Sequence, residues 1–333
     1  MAYIQIDKEN KKSSRINSML SSIGLILKSI PSISATLLLA IYYIVEAFIL
    51  RLTPNFLRSL KSLKGSTVLV TGGASGLGRE LVLLLVNHEA NVVVWDINET
   101  AMFKLKDELN KKGFNIFVYT VDVADLTAIY KAVELVKNDL GPIDILINNA
   151  GFVYGDTFLN IPDKFIEKTY KINTLACYWT TKAILPDMIK RKSGHIATIG
   201  SLSGLLGTYN CTDYSGSKYA LIGFHESLLV ELQSKGYDKI GLTMICPYFI
   251  NTRMFDGCNP KLRSMLDPTE VASRVILAIR RKEIFCAIPG YSCYVLAIKN
   301  CLPSKLLLLI QSKVLRLSEE MKNMRKFKDD SEF

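Results

Sequence analysis

Two tyrosines in the sequence stand four places before a lysine, and such a pair can carry acid–base chemistry. Tyr214 precedes Lys218 in "DYSGSKYA", and Tyr178 precedes Lys182 in "YWTTK". On a helix the two side chains share a face, so the lysine ammonium can favour the phenolate and lower a tyrosine pKa that is ordinarily ~10. About one such spacing is expected by chance in a chain with 15 tyrosines, so the pair alone decides nothing.

A glycine-rich stretch, "TGGASGLG" at residues 71–78, follows the apolar run "TVLV". Glycines at a strand-to-helix turn let the backbone approach a pyrophosphate, and the helix N-terminus supplies N–H groups and a positive dipole end. The spacing is not Gly-x-Gly-x-x-Gly, so this turn alone fits a packing turn as well as a cofactor loop. The residues that we expect to contact a dinucleotide here are Gly72, Ser75, Gly76, Leu77 and Gly78.

An acidic residue raises the odds of a dinucleotide site. Asp96 ends the second apolar run, "VVVWD", some twenty residues after the glycines, where a carboxylate can accept hydrogen bonds from an adenosine ribose. Its neighbours Ser75 and Ile97 are uncharged, so nothing obvious would bind a 2′-phosphate. The sequence therefore favours NAD over NADP, with Arg79 the chief reason for keeping NADP open.

Short apolar runs alternate with amphipathic stretches between residues 65 and 290. Each run is too continuous for a half-exposed strand, and helical patterns separate them, which predicts a parallel sheet covered on both faces. We expect a Rossmann-type, doubly wound α/β fold of about seven strands, with its ligand at their carboxyl ends. The predicted strands are 67–70, 91–95, 115–121, 144–147, 195–200, 241–246 and 284–288.

The ends of the chain are apolar and basic. Residues 32–50, broken only by Glu46, approach the ~20 apolar residues that cross a bilayer. We therefore predict an N-terminal segment (1–31), a membrane helix or in-plane anchor (32–50), a basic linker (51–64), the catalytic domain (65–290), and a C-terminal apolar segment with a charged, frayed tail (291–333). A buried helix capping the domain is the alternative for the anchor. The net charge of +10 lies beside these ends, which favours a membrane surface over nucleic acid as partner.

The seven cysteines are odd in number and lack paired spacing, which predicts reduced thiols facing cytosol. The three histidines, His88, His195 and His225, stand far apart, so no metal site is expected.

Four motifs occur together and in order along the chain, and together they distinguish the two tyrosine–lysine pairs. They are the glycine turn, "NNAG" (148–151), "GSLSG" (200–204) and "YSGSK" (214–218). Over residues 65–290 the chain resembles the short-chain dehydrogenase/reductase superfamily. In that family a serine lies thirteen places before the catalytic tyrosine. That place is Ser201 for Tyr214 but Phe165 for Tyr178, so the resemblance makes Tyr214 the catalytic candidate and assigns Tyr178 to helix packing.

The resemblance implies further roles. Ser201 would bind the substrate oxygen, and Asn173 would hold a water in a proton relay behind Lys218. The chain reads "CPYFINT" where the family has Pro-Gly, so Tyr248 replaces a glycine beside the nicotinamide and reshapes the substrate pocket; Arg253 also departs from the family. The further cofactor contacts implied are Asp122, Asn148, Pro247, Ile250 and Thr252, beside Tyr214 and Lys218.

The chain looks most like the microsomal retinol and hydroxysteroid dehydrogenase branch. The resemblance implies NAD-dependent oxidation of a lipophilic alcohol, with all-trans-retinol as the leading substrate. It also implies a place on the endoplasmic reticulum membrane or lipid droplets with the catalytic domain facing cytosol, and a possible homodimer. A hydroxysteroid dehydrogenase, an NADPH-linked carbonyl reductase and a non-enzymatic lipid-droplet scaffold remain alternatives.

Overall fold

The computed structural model describes residues 35–46, 48–49, 53, 60–314 and 316–324. The chain divides into two compact units, Met1–Leu60 and Lys61–Phe333. In the first unit, residues 35–46 form a helix, α1, whose side chains are exposed. Among the described residues, no helix is both long enough and apolar enough to cross a membrane. The predicted membrane-spanning helix at 32–50 is therefore not found there, and residues 32–34, 47 and 50 lie outside the description.

The second unit is built on a sheet of seven parallel strands in the order β3-β2-β1-β4-β5-β6-β7. The predicted architecture is confirmed, and no strand end shifts by more than one residue. The order reverses between β1 and β4, and in such sheets the crevice at that reversal receives the ligand. The strands are β1 (Thr67–Thr71), β2 (Asn91–Asp96), β3 (Ile116–Thr120), β4 (Ile145–Asn148), β5 (Gly194–Ile199), β6 (Ile240–Pro247) and β7 (Phe285–Ile288).

Helices cover both faces because successive side chains of each strand point to opposite sides. On β1, Val68 and Val70 join one core with helices α2, α3 and α8, while Leu69 joins the other core with α4, α6 and α7. Strands buried on both faces explain the unbroken apolar runs in the sequence. The helices are α2 (Gly76–Asn87), α3 (Glu99–Lys111), α4 (Leu126–Leu140), α5 (Asp163–Tyr170), α6 (Ala176–Arg191), α7 (Thr212–Ser234) and α8 (Pro268–Arg281).

Three short helices follow the sheet: α9 (Ser292–Lys299), α10 (Ser304–Leu309) and α11 (Leu317–Glu320). The prediction of a frayed tail is wrong for its described part, because Met321 and Met324 are buried in a cluster with Val153 and Tyr214. Apolar side chains at two positions in a polar segment were enough to bury it against the domain. Residues 325–333 lie outside the described part of the chain.

Candidate active site

The catalytic candidates meet at the carboxyl end of β5. Ser201 is the second residue after that strand, and Tyr214 lies in the first turn of α7, where only 4% of it is exposed. The ring of Tyr214 packs edge-on against Phe255, with centroids 6.2 Å apart. Burial raises the pKa of Tyr214, and the hydrogen bond with the Ser201 side chain opposes that rise.

Lys218 lies one turn further along α7. Its Nζ donates a hydrogen bond of 2.9 Å to the Ile199 carbonyl and lies 5.6 Å from the centroid of the Tyr214 ring. Burial lowers the pKa of Lys218. The expectation of a lowered tyrosine pKa does not hold for the protein alone, because desolvation of the phenolate raises the pKa of Tyr214 by more than the Ser201 hydrogen bond lowers it.

Asn173 is fully buried within a π-helical turn, Lys171–Leu175, between α5 and α6. Its Oδ1 accepts from the Phe152 N–H at 2.7 Å, and its Nδ2 donates to the Phe152 carbonyl at 2.8 Å and to Ser217 Oγ at 3.0 Å. Ser217 Oγ in turn donates to the Tyr214 carbonyl at 2.7 Å. Asn173 thus ties the start of α7 to the segment after β4, behind the Tyr214–Lys218 pair.

Tyr178 lies on the outer side of α6, away from these residues. Its ring is 41% exposed and stacks on Phe224 of α7 at a centroid distance of 4.0 Å. The interpretation of Tyr178 as a packing residue therefore agrees with its contacts.

The glycine turn between β1 and α2 is tightly closed. Gly72 has φ of +63°, and a Cβ there would lie 2.9 Å from the Ala150 backbone. A Cβ at Gly78 would collide with the Gly72 carbonyl and the Asn149 amide. Ser75 precedes α2 without a side-chain cap, so the first-turn N–H groups point out of the turn with their dipole uncompensated by a side chain.

Asp96 lies at the end of β2 beside this turn. Its Oδ2 accepts from the Ala74 N–H at 2.9 Å, and its Oδ1 accepts from the Asn98 N–H at 3.0 Å. Arg79 was the reason for retaining NADP as an alternative cofactor. It forms ion pairs with Glu108 at 2.6 Å and with Glu80 at 3.2 Å. The turn therefore presents a carboxylate next to the glycines, with the nearest arginine already neutralised.

The two asparagines of "NNAG" have different neighbours. Asn148 is buried, and its Oδ1 accepts from the Thr180 hydroxyl of α6 at 2.8 Å. Asn149 donates from Nδ2 to the carbonyls of Thr71 and Gly72 at 2.9 and 3.0 Å, which fixes the glycine turn. The sequence analysis missed Asn149, although its place in the same motif could have indicated it. Asp122 is exposed and caps its own loop through the Ala124 N–H.

The segment after β6 closes the site from the other side. Pro247 ends the strand, Ile250 is buried and bridges Leu266, and Thr252 lies against the glycine turn, 3.4 Å from where a Cβ of Gly76 would stand. Tyr248 is half-buried, and its hydroxyl donates to Glu320 at 3.2 Å. A cavity of about 330 Å³ lies here, bounded by Ser201, Tyr248 and mainly apolar side chains.

The geometry defines a dinucleotide-dependent oxidoreductase, and the relatives agree. Residues 66–263 match the family model described as short chain dehydrogenase. Over 254 residues the chain is 37% identical to epidermal retinol dehydrogenase 2 of Mus musculus, covering 75% of this chain and 82% of that protein. It is 34% identical over 255 residues to 17-beta-hydroxysteroid dehydrogenase 13 of Mus musculus, covering 76% and 84%. The chain belongs to the short-chain dehydrogenase family.

A solved structure shows the same fold. The short chain dehydrogenase/reductase from Burkholderia phymatum in complex with NAD superposes with a TM-score of 0.67 at 19% identity, covering 72% of this chain and 95% of that one. Membership of the family makes the protein an alcohol oxidoreductase that binds a nicotinamide cofactor and a small-molecule substrate. Membership of an enzyme family therefore argues against the alternative of a non-enzymatic lipid-droplet scaffold.

Proposed function

We propose that the protein oxidises a lipophilic alcohol with NAD, with all-trans-retinol as the leading substrate. The observation that carries this proposal is the cavity beside Ser201, whose lining is overwhelmingly apolar. Apolar pockets with a few placed polar groups are typical of small-molecule sites. The likeness to an epidermal retinol dehydrogenase supports the retinoid as the first substrate to test.

The chain's own residues supply the proton chemistry. Tyr214 takes the proton of the alcohol, Ser201 holds the substrate oxygen, and Lys218 places a positive charge beside the phenol. Asn173 keeps this group in register through Phe152 and Ser217, and the water relay expected behind Lys218 stays a prediction. The nicotinamide supplies the hydride acceptor.

The residues of the glycine turn fit such a cofactor. The backbone approach at Gly72 and Gly78 leaves no room for side chains, and the uncapped start of α2 suits a pyrophosphate. Asp96 suits an unphosphorylated ribose, because a 2′-phosphate beside its carboxylate would be repelled. Asp122, Asn148, Pro247, Ile250 and Thr252 are proposed as further cofactor contacts on family position alone.

A hydroxysteroid dehydrogenase is the second candidate, favoured by the likeness to 17-beta-hydroxysteroid dehydrogenase 13. An NADPH-linked carbonyl reductase has less support, because the arginine nearest the ribose position is engaged by Glu108 and Glu80. Either enzyme would use the same Tyr214 and Ser201.

The test is cofactor reduction by the purified full chain with all-trans-retinol and a panel of steroid alcohols, each with NAD and with NADP. We expect NADH formation that Tyr214→Phe abolishes while the affinity for NAD stays unchanged, because the phenol serves proton transfer. If only steroid alcohols are oxidised, a steroid replaces retinol as the proposed substrate. Turnover with NADP alone would overturn the assignment of NAD as the cofactor. Equal turnover by Tyr214→Phe would overturn the site.

We also propose that the protein lies on a lipid surface, at the endoplasmic reticulum or on lipid droplets. Exposed apolar side chains occur on α1 in the first unit and on α9 and α10 in the second, among them Leu38, Ile298 and Leu308. Apolar side chains beside basic residues favour the interface of an anionic membrane. Flotation with anionic vesicles tests this: we expect Ile298→Glu with Leu308→Glu to reduce binding, and equal flotation of both proteins would contradict it.

A homodimer through α6 and α7 is a further proposal. The stacked pair Tyr178 and Phe224 leaves apolar ring surface on this outer face. Light scattering should give twice the chain mass of 37.3 kDa for the protein and a monomer for Tyr178→Glu. A monomeric unmodified protein would refute the dimer.

A further inference from the structure

A buried carboxyl group lies in the wall of the substrate cavity, far from the catalytic candidates in sequence. Glu320, at the end of α11, is 1% exposed and borders the cavity that Ser201 also borders. Its Oε1 accepts from the Lys261 N–H at 3.0 Å and from the Tyr248 hydroxyl at 3.2 Å. Its Oε2 is buried and has no partner within ordinary hydrogen-bonding geometry among the described residues, although the Leu262 N–H also approaches the carboxyl group.

The position of Glu320 does not depend on this carboxyl alone. The Asn259 N–H donates to the Glu320 carbonyl at 2.9 Å, and Asn210 Nδ2 donates to the Met321 carbonyl at 3.4 Å. Met321 and Met324 are buried beside Tyr214. The segment is thus anchored by its backbone and its methionines as well as by the Glu320 carboxyl group.

The surroundings make that free oxygen costly without a ligand. Phe249, Phe255 and Leu317 are among the apolar side chains of the same cavity, and burial raises the pKa of Glu320. Leaving a buried polar group unsatisfied destabilises the protein, and a hydrogen bond from a ligand would remove that cost. In an apolar pocket, a few polar groups of this kind fix the orientation of the ligand and give specificity.

We propose that Glu320 is a specificity-determining residue, which selects lipophilic alcohols that carry a second hydroxyl group distant from the carbinol being oxidised. The proposal rests on the proposed function in that the carbinol is held at Ser201 and Tyr214. The second hydroxyl then meets Glu320 Oε2 across the cavity. Retinol has one hydroxyl group and would leave that oxygen unsatisfied, so this inference favours the second candidate, a hydroxysteroid with two hydroxyl groups, over retinol.

The test compares 1-dodecanol with 1,12-dodecanediol, which differ only in the distal hydroxyl and whose flexible chain adapts to the span. Dissociation constants are measured by calorimetry on the full chain carrying Tyr214→Phe with NAD present, with and without Glu320→Leu. Since desolvating the extra hydroxyl costs the same in both proteins, the change in the affinity ratio isolates the contact with Glu320. We expect Glu320→Leu to weaken the diol relative to the alcohol about tenfold or more.

Two further variants separate recognition from a structural role. Glu319→Leu removes the neighbouring exposed carboxylate, which pairs with Arg316 at 2.7 Å, and should leave the ratio unchanged. Glu320→Gln keeps an acceptor for Tyr248 and a polar group for the ligand, so it should retain most of the preference. An unchanged ratio in Glu320→Leu, or an equal loss for both ligands, would overturn the proposal.

Turnover by the protein with Tyr214 intact is measured in parallel, so that the two claims can fail separately. A Glu320-dependent preference for the diol in binding, without oxidation of any alcohol, would sustain this inference and refute the proposed function. Oxidation of both alcohols with equal specificity, insensitive to Glu320→Leu, would sustain the proposed function and refute the inference.

Discussion

The proposed chemistry depends on one buried phenol, that of Tyr214. Tyr214 is surrounded by apolar side chains, and that burial raises its pKa against the influence of Ser201. The phenol form, which donates a proton, is therefore the stable form of the protein alone at neutral pH. The proposed oxidation needs the phenolate, which the positive charges of Lys218 and of the oxidised cofactor would stabilise.

This balance predicts a pH dependence. Below the raised pKa of Tyr214, the phenolate fraction grows about tenfold per pH unit, so kcat/KM for alcohol oxidation should rise from about pH 6 to pH 9 without levelling. Carbonyl reduction uses the phenol and should stay flat over that range. Lys218→Met should lower oxidation at every pH, because the phenolate loses its nearby cation. Initial rates in both directions measure this, and a value of kcat/KM for oxidation that levels below about pH 9 would contradict the raised pKa.

The carboxylate beside the glycine turn makes a separate prediction about the cofactor. Asp96→Ser should lower kcat/KM with NAD about tenfold to hundredfold and raise the relative use of NADP, because the repulsion of a 2′-phosphate disappears. Arg79→Gln is the control, since Arg79 is held by Glu108 at 2.6 Å. It should change the ratio of NAD to NADP activity little. A large fall in NADP use in Arg79→Gln would show that the arginine binds the phosphate.

Local spacing in the sequence was enough to distinguish the two tyrosine–lysine pairs, but it could not locate Glu320. Ser201, Tyr214 and Lys218 lie within eighteen residues of sequence, so the end of β5 and the first turns of α7 are enough to bring them together. Glu320 reaches the cavity only because α11 folds back to Tyr248, which follows β6. No pattern within the tail itself records that contact.

At the scale of elements, the apolar runs predicted the strands because parallel strands are buried on both faces. The π-helical turn at Lys171–Leu175 had no such signal. Its extra residue per turn is stabilised by the side chain of Asn173 bonding to the Phe152 backbone, a contact between distant segments. Element type was readable from the sequence, whereas this irregularity was set by tertiary contacts.

The turn between β1 and α2 should tolerate no side chain at Gly78. In Gly78→Ala the new Cβ meets the Gly72 carbonyl and Asn149, so the turn must open and the affinity for NAD should fall about tenfold or more. Gly223→Ala in α7 is the matched control, because nothing lies within 4 Å of its Cβ. That variant should be neutral or more stable by about 0.5–1 kcal/mol. The NAD affinities are measured by fluorescence titration, and equal affinities in the two variants would contradict the proposal that the glycine turn binds the cofactor.

At the scale of the whole molecule, the carboxyl-terminal segment completes a site that the family motifs leave open. The match to the family model ends at residue 263, yet Met321 and Met324 pack beside Tyr214, and a Cβ at Gly155 would lie 2.6 Å from Met324 Sδ. The burial of Tyr214 thus involves residues far beyond the motifs, and we expect them to shape the substrate site as well. The sequence did not indicate this packing, because the buried side chains of the tail, Glu320, Met321 and Met324, stand among charged and polar residues.

That dependence predicts the effect of Met321→Ala. Truncating a buried methionine should lower the free energy of unfolding by about 2–4 kcal/mol and raise KM for the alcohol, because the cavity wall loses its support. The affinity for NAD should stay unchanged, since the glycine turn is held by Asn149 and not by the tail. Lys322→Ala, at an exposed neighbour, should alter neither quantity. Denaturant titration and steady-state kinetics measure both, and an unchanged KM in Met321→Ala would mean that the tail packs on the domain without shaping the substrate site.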